Sequence, residues 1–370
     1  MYCGIKDESL TEDEFYAGPL RGIFNKLHSK HMLRCVQTLI LDGLTVPADL
    51  VGEIICEDQY SVRILSLRDA KHLNASKLQQ VLRYAVRPTR AKGTPKLKAL
   101  YFFQPKDAPR AITYHQRLES GVPLGGVMES EGAQIGAEWN HRSTSALNSS
   151  LPDDEGKWYG CTGRVMKQPS FEWPETLQAC KGLIAFDAVL CRGPRHDITR
   201  TDSKQFLQPA IATVALGPTG CETCHTCPEG PAIFGRSTTS DLPLLTPPPT
   251  HSSNARAGQY PQIMTFSSEG FPKLIIRCED CLRGRYCERC GRWWCENCYS
   301  NPVSRLHLRT GMQQVELLEE LRQNGWENGV DAEHGVAGHG SPIKVYSKLC
   351  VNHCLVSEMM SGAGSNGMWG

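Results

Sequence analysis

Apolar residues alternate along three short stretches in the first third of the chain. Val36-Gln37-Thr38-Leu39-Ile40-Leu41 has the form L-x-x-L-x-L, and Val62-Arg63-Ile64-Leu65-Ser66-Leu67 repeats it 26 residues later. Leu97-Lys98-Ala99-Leu100-Tyr101-Phe102 is a third copy after a longer gap. Alternation at this length predicts short strands with one face buried. The segments between them have a different period. Val46-Pro47-Ala48-Asp49-Leu50 opens a helix with Pro in its first turn, and Val51, Ile54 and Ile55 form its inner face. Asn74 can cap a second helix in which Leu78, Val81, Leu82 and Ala85 recur at helical spacing, and Pro88 stops it.

Strand, turn, helix and strand again is a unit that buries its apolar side only against neighbours. Recurrence at this spacing is the pattern of leucine-rich repeats, so residues 28–115 read as a short repeat block; an ordinary small α/β layer is the plainer reading. The 27 residues before it are acidic, then mixed, with little periodicity.

Farther along, polar stretches separate apolar ones. Residues 116–157, rich in Gly, Ser, Asn and Asp, read as a linker, and so does the Pro/Ser/Thr-rich segment 237–266. Between them, 158–236 reads as a small β-rich module with buried strands at 182–190 and 211–216. Residues 267–370 form the last module, with an insertion at 301–344. Met312, Val315, Leu318 and Leu321 lie there in helical register, and a Gly/His-rich run with His334 and His339 reads as a solvated loop. The fold class expected is α+β.

Composition narrows the function classes. Forty basic and 39 acidic residues give a net charge of +1, which argues against bulk electrostatic capture of nucleic acid. No run of 18 apolar residues exists, so no membrane span is expected. The first residues lack a basic region followed by an apolar one, and secretion is not expected. A reducing cytoplasmic or nuclear setting suits the seventeen cysteines, most of them in closely spaced pairs. Cys3, Cys35 and Cys56 stand apart and read as small apolar side chains, two of them in a core.

The chemistry concentrates between Cys278 and Cys298. Cys278/Cys281, Cys287/Cys290 and Cys295/Cys298 are three C-x2-C pairs, each able to turn both sulfurs toward one metal. Six thiolates make a site and a half, so a fourth pair is required. Cys350 and Cys354 supply it, with His353 as an alternative in the same turn. Pairs adjacent in the chain are too close to share an ion without folding back. We therefore expect a cross-brace, with pairs one and three on one Zn²⁺ and pairs two and four on another. A third site is a candidate at Cys191, His196, Cys221 and Cys224, where the ends of two strands resemble a zinc ribbon. Cys161, Cys180, Cys227 and His225 are rivals for its open positions.

The run Cys287-Glu288-Arg289-Cys290-Gly291-Arg292-Trp293-Trp294-Cys295-Glu296-Asn297-Cys298 resembles the central knuckle of FYVE-type fingers, C-x2-C-G-x3-C-x2-C, without the His pair those fingers use to read phosphoinositide. The cross-brace logic is that of RING, PHD and FYVE modules, treble-clef-like folds. Over residues 33–105 and 158–370 the chain resembles fungal proteins with F-box-type leucine-rich repeats and a Cys-rich tail. The likeness is carried by VLCRGPRHD, CPEGPAIFG, the cysteine cluster and SGAGSNGMWG. An F-box proper is not seen in the short stretch before the repeats.

No Walker loop, G-x-S-x-G, H-E-x-x-H or dinucleotide fingerprint occurs, and thiolates fully committed to zinc leave no open coordination position. The expected function is a non-enzymatic, zinc-stabilised protein-interaction scaffold or substrate adaptor. The resemblance implies ubiquitin-dependent turnover, with ubiquitin-ligase components among the protein partners. The alternative is a RING-like ubiquitin-protein ligase that offers Leu282 with Trp293 or Trp294 to a conjugating enzyme. Trp293 or Trp294 reads first as the hydrophobic plug of a small zinc fold, with the other open to a partner. Nucleic-acid binding through Arg283, Arg285, Arg289 and Arg292 ranks last, because Glu279, Asp280, Glu288 and Glu296 balance those charges.

Overall fold

The structure, a computed structural model, describes residues 12–103, 158–159, 163–170, 172–201, 205–217, 219–249, 254–260, 273–299 and 343–361. The expected linker at 116–157, the helix around 312–321, His334, His339, Cys3 and Cys161 lie outside these residues. In chain order the elements used below are α1 (Glu12–Ser29), β1 (Thr38–Ile40), α2 (Ala48–Cys56), β2 (Ile64–Ser66), α3 (Ala75–Ala85), β3 (Ala99–Tyr101) and β4 (Gly163–Arg164). They continue with α4 (Trp173–Cys180), β5 (Ala185–Phe186), β6 (Val214–Ala215), β7 (Ile276–Arg277), α5 (Glu279–Leu282), β8 (Val345–Tyr346), β9 (Leu349–Cys350) and α6 (Val356–Ser361). The fold is mixed helix and sheet.

The chain divides into two compact units whose segments alternate along the sequence. Unit 1 comprises Met1–Gly160, Val165–Leu190 and Ile233–Pro272, and unit 2 comprises Cys161–Arg164, Cys191–Ala232 and Lys273–Gly370. The segment 158–236, expected as one module, is thus shared between the two.

Unit 1 is a parallel sheet in the order β1-β2-β3-β5. Register follows the repeated pattern: Leu39 lies opposite Leu65, Leu65 opposite Leu100, and Leu100 opposite Phe186. Strands β2 and β3 are buried throughout, as inner strands of a helix-covered parallel sheet must be. The crossover helices begin where expected. Asn74 Oδ1 accepts from the Lys77 amide at 3.0 Å at the start of α3, and Pro47 precedes α2. Helix α3 packs against α2 and α4, and Arg83 Nε donates to Thr176 Oγ1 on α4 at 3.0 Å.

Two expectations for this unit need correction. The strand at 182–190 does not belong to a separate β-rich module; its ordered part, β5, is the fourth strand of the parallel sheet. The segment 237–266 is not simply a linker, because Leu242, Leu244 and Leu245 within it are buried. The Leu244 amide donates to Phe186 O at 2.7 Å, Leu245 and Thr246 amides donate to Gly258 O, and Gln259 Nε2 donates to Thr239 O at 2.8 Å. Three leucines close together outweigh the polar average of the window, and backbone pairing satisfies the groups they bury. Cys35 and Cys56 are both exposed, not core residues.

Among its described residues, unit 2 has little regular structure. Antiparallel β4-β6-β7 forms a three-stranded sheet, and β8 and β9 form a hairpin. The two residues at the hairpin tip, Ser347 and Lys348, have φ of 45° and 68°, the left-handed pair that suits a two-residue turn. Its core clusters Val214, Leu216, Ile275, Leu282, Tyr286, Trp293, Trp294, Tyr299 and Val345 with Cys221, Cys287, Cys295 and Cys350.

Candidate metal centres

Every feature that forms a knuckle here is local. Cys278 ends β7 and caps α5, its Sγ accepting from the Cys281 amide at 3.4 Å. The next knuckle is a tight ribbon in which Tyr286 bridges Trp293, the Cys287 amide donates to Arg292 O and the Gly291 amide donates to Cys287 O, each at 2.9 Å. Strand β9 delivers Cys350, whose Sγ accepts from the Cys354 amide at 3.4 Å. Upstream, the Thr223 and Cys295 amides donate to Cys221 Sγ at 3.4 and 3.3 Å. Amides aimed at sulfur stabilise thiolate and fix its lone pairs, as outer-shell hydrogen bonds do in metal sites.

These elements converge as three groups, each with four ligand atoms lying within 4.8 Å of one another: Cys191, His196, Cys278 and Cys281; Cys221, Cys224, Cys295 and Cys298; and Cys287, Cys290, Cys350 and Cys354. Sulfur separations are 3.8 Å for Cys191–Cys281, 3.8 Å for Cys224–Cys295 and 3.7 Å for Cys290–Cys350. Zn–S bonds of about 2.3 Å at the tetrahedral angle put neighbouring sulfurs about 3.8 Å apart. His196 Nε2 lies 3.2 Å from Cys278 Sγ, and its Nδ1 faces Leu207 O at 3.1 Å, so the other ring nitrogen is oriented by a carbonyl.

The structure brings pairs two and four of the C-terminal cysteines together, but not pairs one and three. Cys278/Cys281 meets Cys191/His196, and Cys295/Cys298 meets Cys221/Cys224. The four residues expected to make one ribbon-like site are therefore halves of two different groups. The cause is the strand arrangement. Strand β6 pairs with β7, and the Cys278 amide donates to Cys191 Sγ at 3.1 Å. Close approach is also required at Gly193, where a Cβ would meet Cys281 Sγ at 2.7 Å. Cys180, Cys227, His225 and His353 join none of these groups. A counting signal was present: eight C-terminal thiolates plus four upstream ligands make three complete sets.

In each group one sulfur is held below the ordinary thiol value of 9.0. For Cys191, hydrogen bonds from Cys278, Cys281 and His196 overcome the opposing effect of burial. The Thr226 hydroxyl and amide bring Cys224 down to about 6. Burial raises Cys287, but amides of Cys290 and Cys350 bring it to about 7.

A buried ionic chain runs between the first two groups. Glu229 accepts from Arg277 Nε at 2.9 Å, from Arg285 at 3.2 Å and from the Glu296 amide at 3.0 Å. Arg285, fully buried, also donates to Cys281 O at 3.0 Å and Trp294 O at 2.7 Å. Glu296 Oε1 lies 3.1 Å from Arg285 and 2.7 Å from Arg195, the neighbour of His196. The sequence offers Arg285 only as one of four arginines of a nucleic-acid reading that ranks last, a role that burial rules out for it. Nothing in a lone arginine between knuckles distinguishes a phosphate contact from an internal strut.

Both tryptophans are buried, at 2% exposure for Trp293 and 7% for Trp294, so the expectation that one stands open to a partner is corrected. No known protein family, curated protein or solved structure matches this chain.

Proposed function

We propose that this chain is a zinc-stabilised, non-enzymatic protein-interaction scaffold, with three structural Zn²⁺ ions in unit 2. The observation that carries the reading is the completeness of the three groups. Each offers four protein ligands, one Cys₃His set and two Cys₄ sets, the composition of closed structural sites. Such an ion holds a fold and leaves no position for an activated water. The parallel block of unit 1, read as leucine-rich repeats, supplies a second recognition surface. The resemblance to F-box-type repeat proteins supports a place in ubiquitin-dependent turnover as a substrate adaptor.

The scaffold reading is preferred to a RING-like ligase because Leu282, Trp293 and Trp294, the residues suited to a conjugating-enzyme groove, are all core residues. It is preferred to nucleic-acid binding because the arginines suited to phosphate face carboxylates: Arg283 with Asp280, Arg285 with Glu229, Arg289 with Glu358 and Arg292 with Glu222. Native mass spectrometry of the full chain tests the metal count. Three zinc ions are expected, falling to two in Cys290→Ser; a chain that folds with none would end this reading. Autoubiquitination with a panel of conjugating enzymes should be silent.

A further inference from the structure

The three groups are not held alike. The halves of the first two are tied by structure that needs no ion. Strand β6 pairs with β7 just before Cys278, and the Cys278 amide reaches Cys191 Sγ at 3.1 Å. In the second group the Glu222 amide donates to Trp293 O at 2.9 Å and the Cys295 amide to Cys221 Sγ at 3.3 Å. Both groups also flank the ionic chain of Glu229, Arg277, Arg285, Glu296 and Arg195, whose side chains are at most 16% exposed.

The third group joins Cys287/Cys290 to Cys350/Cys354, which the β8–β9 hairpin and the turn after it carry. Contacts across that joint are lighter. The Glu288 amide donates to Lys348 O at 2.8 Å. The ion pairs Lys348–Glu288, at 2.9 Å, and Arg289–Glu358, at 3.6 Å, have side chains between 38% and 62% exposed. Pairs so open to water hold little. Of the hairpin's apolar side chains, Val345 is buried and Leu349 only partly so. Cys290 is also the one exposed ligand among the twelve. Solvent access to a ligand sulfur and thin outer support both ease the exit of a metal.

We propose that the third group is an exchangeable zinc site, and that its occupancy decides whether residues 343–361 stay docked on the rest of unit 2. The inference deepens the scaffold reading and rests on it: three ions bind, but one can be withdrawn while two remain. When it leaves, its four thiolates take up protons from water, and only the light contacts above hold the hairpin to the knuckle. The fold thereby couples the free-zinc level to the position of its C-terminal segment.

The test is stepwise withdrawal of metal from the full-length, zinc-loaded protein with EDTA, followed by native mass spectrometry and amide hydrogen exchange. A two-ion species is expected at EDTA concentrations at least about tenfold below those that remove the rest, the scale on which outer-shell support changes metal affinity. In that species protection should be lost over 343–361 and kept over 273–282. Cys290→Ser should show the two-ion pattern before EDTA is added and hold its remaining ions as the parent does. Loss of all three ions in one step, or a two-ion species in which 343–361 stays protected, would overturn the proposal. The titration of the parent needs no variant, so it decides the matter even if Cys290→Ser fails to fold. The ion count before EDTA separates the two readings: three ions that leave together remove the exchangeable site and spare the scaffold, whereas a folded chain with none removes both.

Discussion

Unit 1 and unit 2 solve the same problem with different materials. In unit 1, Ile64, Leu65, Leu78, Leu82, Leu97, Leu100 and Tyr101 are almost wholly inaccessible, and sheet and helices are held by ordinary burial. Unit 2 has strands of two residues, and its interior combines aromatic rings with cysteine sulfur and buried arginine. The lesson is that amount of regular structure and degree of order are separable. A segment with little repetitive hydrogen bonding can be fixed when its sulfurs share an ion and its charges are paired inside.

The comparison breaks most visibly on removing metal. A chelator strong enough to strip zinc should unfold unit 2 and spare unit 1, since each structural ion contributes on the order of 10 kcal/mol. Hydrogen exchange followed by mass spectrometry would show protection lost over residues 273–299 and kept at β2 and β3. Equal loss in both would mean the units are not independently held.

Next in size is Glu229→Gln. It leaves Arg277 buried without its countercharge and Arg285 with Glu296 alone, and a loss of about 3–5 kcal/mol is expected. Thermal melts of the zinc-loaded protein measure it; a change below 1 kcal/mol would show the ionic chain to be incidental. Leu100→Ala is the corresponding change in unit 1. It should cost about 2–5 kcal/mol while the zinc count stays at three. Asn74→Ala removes only the cap of α3 and should cost about 1 kcal/mol.

The finest distinction is in acid. Burial pushes the Asp42 carboxyl above 3.8, with Arg68 opposing. The folded unit therefore holds that proton more readily than the unfolded chain, and the contribution of Asp42 improves as pH falls through its folded value. Glu229 behaves oppositely. Burial would raise it, but Arg285 and Arg277 hold it below 4.5, so its contribution is complete above 4.5 and is lost as pH falls through the folded value. Urea melts of Asp42→Asn and Glu229→Gln against the parent between pH 3 and 6 should show these opposite slopes.

What the sequence disclosed follows from the range of each signal. The three strands of the repeat, the Asn74 cap and the knuckles were legible because each is set by residues within a turn or two. The grouping of Cys287/Cys290 with Cys350/Cys354 was accessible by elimination. The partners of Cys278 and Cys295 were not, because they depend on β6 lying beside β7, a long-range pairing of two-residue strands. The role of 242–245 was hidden for a related reason: its leucines are diluted by proline and serine, and only their contacts show them as core. Arg285 and Glu229 carry no local mark, since an internal ion pair and a surface charge look alike in one dimension.

The interleaving of the three groups has a consequence for synthesis. The ribosome delivers Cys191 and His196, then Cys221 and Cys224, but their counterparts follow only from residue 278 onward. At about 5–20 residues per second, upstream thiols wait on the order of ten seconds for a mate, and the final group closes only after Cys354. Throughout that interval the nascent chain exposes nucleophilic sulfur with no ion to quench it. With the zinc sites proposed above, correct maturation would depend on the reducing power and free metal around the emerging polypeptide.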